Sequence, residues 1–139
     1  MTLVELIGFF SSPQRVEVLL REAGVDLDRA LFPILVCLAM RGPLSVAGLS
    51  AEIGRDHTTI SRQLSKLESL TLVARQAGED RRVRTVTLTQ GGRQIAQAVT
   101  GARRRLLSKV LADWPDTDLA DLARLNRRFV DALVQAARG

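Results

Sequence analysis

The chain has one cysteine, one histidine, one tryptophan, no tyrosine and four prolines in 139 residues. With Cys37 alone, no disulfide can form within the chain, and the composition fits a reducing cytoplasm. One His and one Cys cannot supply the three or four ligands of a metal site, so no metal is expected. His57 opens a polar helix and Cys37 lies among Val36 and Leu38, so a Cys-His or Ser-His-Asp arrangement would have to join an outer surface to a core helix. No catalytic residues emerge, and the chain does not read as an enzyme. Neither a Walker nor a dinucleotide glycine pattern is present, Gly91-Gly92 reads as a strand-to-helix connection, and no cofactor is expected. The longest apolar run, Ala30–Met40, is too short to span a bilayer and contains Pro33, so no membrane partner is expected. Met1–Phe10 lacks a basic n-region and carries Glu5, which argues against a signal peptide. The expectation is a soluble, cytoplasmic, single-domain protein large enough to bury a core.

What is present is cationic and uneven. The formal net charge is +5, which favours an anionic partner. Residues 55–93 hold Arg55, Arg62, Lys66, Arg75, Arg81, Arg82, Arg84 and Arg93 against Asp56, Glu68, Glu79 and Asp80. Charge concentrated in one stretch favours nucleic acid over a membrane surface.

That stretch has a recognisable internal order. Ile60, Leu64, Leu67 and Leu70 follow the spacing of a helix with one buried stripe, and Asp56 reads as its N-cap. Thr58, Arg62, Ser65 and Ser69 fall on the opposite face, flanked by Thr59 and Lys66. No carboxylate lies between His57 and Leu67, whereas a solvated helix face normally mixes both signs. A shorter helix, Ser45–Ile53, precedes it, with Ser45 as cap, Val46, Leu49 and Ile53 inward, and Gly54 as the left-handed C-cap. Two short helices joined this tightly describe a helix-turn-helix, although an ordinary helical hairpin would look much the same. The following runs, Leu72–Gln76 and Val83–Leu88, are β-prone and enclose the charged turn Ala77–Arg82. A helix-turn-helix followed by such a hairpin is a winged helix. The hairpin then carries Arg75, Arg81, Arg82 and Arg84 where phosphate or a minor groove could receive them.

These residues resemble the MarR family of winged-helix transcription regulators. The matching motifs are Gly42-Pro43-Leu44-Ser45, Thr58-Thr59-Ile60-Ser61-Arg62, Leu67-Glu68, Glu79-Asp80-Arg81-Arg82 and Val86-Thr87-Leu88-Thr89-Gln90-Gly91-Gly92. The resemblance spans roughly residues 25–137. One departure is Thr71, where the family usually has glycine before the first wing strand. A β-branched residue disfavours φ > 0, so the turn is expected to be built differently.

The resemblance implies a mostly α fold with a small β-hairpin wing: a winged helix-turn-helix core over 25–93, flanked by dimerisation helices in 1–24 and 94–139. It implies a homodimer that binds double-stranded DNA at a palindromic operator, usually as a repressor. Arg62 and Lys66 would reach base edges while Thr58, Thr59, Ser61 and Ser65 reach phosphates. Ser45 and His57 complete the candidate set on the helices, His57 as a phosphate or solvent contact. On the wing, the family pattern gives the tip contact to Arg82 and makes Asp80 the brace of its guanidinium. Alternation along a hairpin should point Arg81 and Arg82 to opposite sides. Family members often bind small aromatic or anionic effectors between the dimer layer and the winged core. Phe32, Trp114 and Phe129 are the aromatic candidates here, and a regulator with no effector is the alternative. The competing function is a winged helix that binds only protein; a redox or small-molecule sensor without DNA binding is a third.

The flanking segments are helical. Thr2–Phe10, with Leu3, Leu6, Ile7 and Phe10, and Pro13–Ala23, with Val16, Leu19 and Leu20, are separated by a break at Ser11–Ser12. Their stripes pack either on a second subunit or within the chain. Asp28 is expected to cap a core helix running to Met40. Cys37 sits in that helix, and core packing outweighs thiol sensing. Thr89 should cap a helix running to about Asp113, its inner edge formed by Ile95, Val99, Ala102, Leu106, Val110 and Trp114. Arg103-Arg104-Arg105 reads as a solvated charge run more than a DNA contact. After Pro115, Asp116, Thr117 and Asp118 should cap the last helix, which buries Leu119, Leu122, Leu125, Phe129, Val130 and Leu133.

Overall fold

A computed structural model describes Glu5, Gly8, Phe9 and residues 12–138. Glu5, Gly8 and Phe9 are helical, while the stripe expected from Leu3, Leu6, Ile7 and Phe10 lies outside the described residues. The chain divides into two compact units, one ending at Arg103 and one beginning at Arg104.

In the first unit, α1 (Pro13–Glu22) starts at the expected break: Ser12 is extended and Pro13 takes the first helical position, where its missing N–H costs nothing. Leu20 is buried with Phe32 and Val99, and Val16, Leu19 and Ile95 pack around them. The stripe of α1 is therefore satisfied within the chain. The next helix, α2 (Phe32–Arg41), begins later than Asp28. Asp28 instead accepts the Ala30 N–H at 2.9 Å and closes a short turn ahead of the helix. Pro33 then sits in the first turn of α2, where a residue without an N–H breaks no helical bond. Ile34, Leu35 and Leu38 are buried in the main core.

Leu44–Ser45 form a two-residue strand, β1, too short to show any period in the sequence. Ser45 then caps α3 (Val46–Ile53), its hydroxyl oxygen accepting the Gly48 N–H. Gly54 closes α3 at φ 75°. After a two-residue turn comes α4 (His57–Ser69), whose Ile60, Leu64 and Leu67 are fully excluded from solvent. Strands β2 (Val73–Ala77) and β3 (Arg84–Leu88) make an antiparallel hairpin, and β1 pairs with β3 on its other side. Val73, Val86 and Leu88 close the core from the sheet.

The turn at Thr71 departs from expectation. Thr71 adopts φ 59°, so the chain takes the left-handed geometry despite its β-branched side chain. The surroundings compensate. Thr71 N–H donates to Glu68 O at 2.9 Å and Leu72 N–H donates to Leu67 O at 3.0 Å. Together these form a Schellman closure of α4, with Leu67 and Leu72 both buried beneath it. The Thr89 hydroxyl also donates to Thr71 O at 2.6 Å and accepts the Gly92 N–H at 3.2 Å. One side chain thus caps α5 (Gln90–Val110) and ties its start to the end of α4. Gly92 belongs to the first turn of α5, and a Cβ there would fall on the Leu72 carbonyl oxygen. The Gly91-Gly92 pair is accordingly a site of close backbone approach, beyond a mere connection.

α5 ends at Val110, and residues 111–113 form a turn. Val99 and Ala102 are buried, but Val110 is 72% and Trp114 45% exposed. In the second unit, α6 spans Asp116–Ala136. Its N-cap is Pro115 with no side-chain cap; Asp116 and Asp118 lie in its first turn, where they complement the helix dipole without capping it. No residue of α6 is buried. Leu122, Leu125, Phe129, Val130 and Leu133, expected to be buried, are 43–53% exposed in the single chain.

Two substitutions test the splice between α4 and α5. Thr71→Gly removes the left-handed penalty and should raise stability by about 0.5–1 kcal/mol after glycine's entropic cost. Gly92→Ala should lower it by about 1–3 kcal/mol through forced displacement of the Leu72 backbone. Thermal or urea unfolding checks both, and a destabilised Thr71→Gly would show that the threonine side chain itself holds the turn.

Candidate nucleic-acid interface

The outward face of α4 is set by what its inward face must hide. With Ile60, Leu64 and Leu67 in the core, Thr58, Arg62, Ser65, Lys66 and Ser69 are exposed, and Thr59 and Ser61 half-buried at the flanks. Asp56 accepts the Thr59 N–H at 2.8 Å and the Thr59 hydroxyl at 2.7 Å. These bonds, the hydroxyl first, hold the Asp56 carboxyl below its ordinary pKa. His57 is exposed at the first position of the helix.

The hydroxyls divide into committed and uncommitted donors. Thr59 spends its proton on Asp56, and Ser65 donates to Ser61 O at 3.0 Å. A phosphate offers only acceptors, so these two would have to break an internal bond to reach it. Thr58 and Ser61 carry no such bond among the described residues. Ser45 lies on β1 and α3 with its oxygen already capping Gly48, leaving only its hydroxyl hydrogen to offer. Arg62 and Lys66 form no ion pair among the described residues.

The wing is arranged differently from the sequence expectation in two respects. Arg75 belongs to an ion pair: its Nε donates to Glu68 Oε1 at 2.6 Å, joining β2 to the last turn of α4. It is therefore not a free wing cation. Asp80 does not hold the Arg82 guanidinium; its Oδ1 accepts the Arg82 main-chain N–H at 3.0 Å. Val83 N–H donates to Asp80 O at 2.9 Å and Gly78 N–H to Val83 O at 3.0 Å, so Asp80 shapes the turn from within. Arg81 and Arg82 sit in that turn and not on a strand, so strand alternation does not govern them. Both are exposed, as is Arg84, whose position in β3 puts it on the same face as Val86 and Leu88.

The three aromatics expected to hold an effector are divided between the two units, Phe32 in the first and Trp114 and Phe129 in the second. Phe32 is 9% exposed and enclosed by Leu20, Val99 and their neighbours, so it walls no opening. A cleft of about 380 Å³ between α1 and the following loop is lined by Glu17, Leu20, Arg21, Gly24, Val25, Asp26 and Leu27, with none of the three aromatics. Cys37 packs against the main core; burial first, then Glu52, pushes its thiol pKa up, away from thiolate reactivity.

Sequence reasoning missed Arg55, counting it only as a cation. Its Nη1 donates to Ala30 O and to Gln63 Oε1, each at 2.8 Å, and the Ser50 hydroxyl donates to its main-chain carbonyl. No periodic pattern signals such a bond, since it joins a turn to a helix eight residues on. Arg93, although exposed, is likewise engaged by the backbone, its Nη1 donating to Leu88 O at 2.9 Å.

The arrangement is a winged helix-turn-helix with a cationic, carboxylate-free outer helix face and a cationic hairpin tip. The MarR family model matches residues 27–83. The uncharacterized HTH-type transcriptional regulator YxaD of Bacillus subtilis is 30% identical over 111 residues, covering 76% of this chain and 78% of that protein. A second B. subtilis protein, the uncharacterized HTH-type transcriptional regulator YwoH, is 27% identical over 97 residues, covering 70% of this chain and 71% of its own. The solved structure of a MarR family protein from Bacillus stearothermophilus superposes with a TM-score of 0.81 at 25% identity, covering 95% of this chain and 93% of that one. The chain belongs to the MarR family. It is a transcription regulator with the family's winged-helix fold, and the family is one of regulators and not of enzymes.

Because Asp80 acts on the turn backbone, two substitutions separate its charge from its bond. Asp80→Asn keeps an acceptor for the Arg82 N–H and should match or exceed wild-type DNA affinity. Asp80→Ala frees the turn and should weaken binding by about threefold to tenfold, the scale of one hydrogen bond. Because Arg82→Ala keeps the N–H that Asp80 accepts, Asp80→Ala should still weaken binding in that background, through the turn that also carries Arg81. Tighter binding by Asp80→Ala, read by fluorescence anisotropy, would refute the brace.

Proposed function

We propose that the protein is a homodimeric repressor that binds a palindromic operator, with α4 of each protomer in the major groove and each wing in the adjoining minor groove. The observation that carries the reading is the outer face of α4. Thr58, Arg62 and Lys66 project from a helix whose other side is locked in the core, with no carboxylate among them. Arg62 suits a bidentate contact to guanine, and Arg81, Arg82 and Arg84 are spaced to meet phosphates or a minor groove.

The dimer is supported by α6. Leu122, Leu125, Phe129 and Leu133 recur on one face at helical spacing and are 43–53% exposed in the single chain. A contiguous apolar face of this kind marks an association surface, and two-fold symmetry would present two α4 helices to half-sites about one turn, roughly 34 Å, apart. Repression follows where such a dimer occupies a promoter, and rests on the family resemblance. So does release by a small-molecule effector, which the enclosed position of Phe32 does nothing to support; a regulator with no effector is the alternative. The single cysteine fits action in the cytoplasm, and no described helix is long and apolar enough to cross a membrane.

A winged helix that binds only protein would show no salt-dependent affinity for any duplex. For the DNA reading, Arg62→Ala should lose about 1–3 kcal/mol on a duplex selected from a random pool, and much less on unselected DNA. Equal losses on both would make Arg62 a phosphate contact only.

A further inference from the structure

The helix-turn-helix contains an arginine that faces inward, and its bonding pattern ties together the parts whose relative placement matters for reading DNA. Arg55 follows Gly54, whose φ of 75° ends α3. Its main-chain carbonyl accepts the Ser50 hydroxyl from α3. Its side chain then bridges two further elements, one Nη1 donating at 2.8 Å both to Ala30 O, in the turn ahead of α2, and to Gln63 Oε1 on α4. An Nη nitrogen carries two hydrogens, so neither bond competes with the other.

Gln63 is placed to make this matter. At 100° per residue it lies about 60° from Ile60, on the shoulder of the buried stripe and away from Arg62. The stripe is aliphatic, and aliphatic burial is non-directional: it dictates which side of α4 faces in, but tolerates small rotations. A hydrogen bond prefers a narrow range of angles. The Glu68–Arg75 pair and the Thr71–Leu72 closure act at the C-terminal end of α4; the Arg55–Gln63 bond is the directional side-chain contact that selects the rotation of its middle, beside Arg62, within the range the core permits. Side-chain atoms lie about 5–6 Å from a helix axis, so a turn of about 10° displaces the outer face by about 1 Å. A bidentate base contact needs placement to about 0.5 Å.

We propose that Arg55 is a positioning residue for DNA recognition, setting the rotation of α4 through Gln63 against the fixed carbonyl of Ala30. The inference rests on the DNA-binding reading above. It differs from the two plainer roles an arginine at this place could have, a phosphate contact or a contribution to stability alone, and each has its own signature.

The experiment uses the full chain, an operator selected by the wild type from a random duplex pool, and a scrambled duplex of equal length. Affinities are measured over a range of salt concentrations, well below the unfolding midpoint of each variant. Arg55→Met keeps most of the side-chain stem, and Gln63→Leu removes the acceptor. Each should lower the ratio of operator to scrambled affinity by about tenfold, the scale of one misplaced bidentate contact. The double variant should lose no more than either single, and the salt slope should stay at the wild-type value. Gln63→Glu retains an acceptor and should recover most of the discrimination lost in Gln63→Leu; this comparison suffices if Arg55→Met does not fold. Equal weakening on both duplexes, with the slope shallower by about 0.9 for each arginine, would overturn the inference in favour of a phosphate contact. An unchanged ratio in folded variants would overturn it in favour of stability alone. A wild type that does not discriminate between duplexes would overturn the DNA reading itself, and the inference with it.

Discussion

Exclusion of Ile60, Leu64 and Leu67 from water is the constraint on which the rest depends. Burying each of these side chains is worth about 1.5–3 kcal/mol, more than the helix propensity of α4 could offset if the stripe faced out. Three side chains on one face fix which side of α4 turns inward, and the opposite face is thereby committed to solvent or a partner. The chain places Thr58, Arg62 and Lys66 there. The chemistry of the outer face is therefore readable only because the inner face is so strongly determined.

A second set of contacts converts that helix into a rigid part of a larger reader. The end of α4, the start of the hairpin and the start of α5 meet at Thr71–Leu72. Thr89 bonds Thr71 O and the Gly92 N–H, and the absence of a side chain at Gly92 lets α5 approach the Leu72 carbonyl. The Glu68–Arg75 pair adds a tie between α4 and β2; both groups are about one-third exposed, so its role is geometric and its contribution to stability small. A wing held in this way keeps a fixed geometry to the helix, which the proposed engagement of two grooves would require.

Much of this was legible in the sequence because it is periodic or capped. The stripe of α4 through Leu67, the caps at Ser45 and Asp56, the C-cap at Gly54 and the alternation of β3 all follow local rules, and the family motifs fall on the same residues; Leu70, expected to extend the stripe, is the C-cap of α4 and 53% exposed. Local rules failed where tertiary contacts decide. Thr71 accepts a left-handed backbone because a Schellman closure and the Thr89 hydroxyl hold it, none of which is visible from its side-chain type. Asp28 looked like a helix cap, yet α2 starts only at Phe32, with Pro33 in its first turn. In the interface, exposure of Arg62, Lys66, Arg81, Arg82 and Arg84 agrees with the pattern. Arg75 and Arg55 were counted as free cations, but composition cannot distinguish an arginine that waits for an anion from one already satisfied by Glu68 or by Ala30 and Gln63.

The central claim is that one face of α4 and the hairpin tip engage two different grooves of the same duplex. Methylation interference on a selected operator tests it most directly, because guanine N7 lies in the major groove and adenine N3 in the minor. The account predicts interference at guanine N7 in two clusters about 10 base pairs apart, with adenine N3 interference flanking each. Interference confined to one groove, or a single unrepeated cluster, would contradict it.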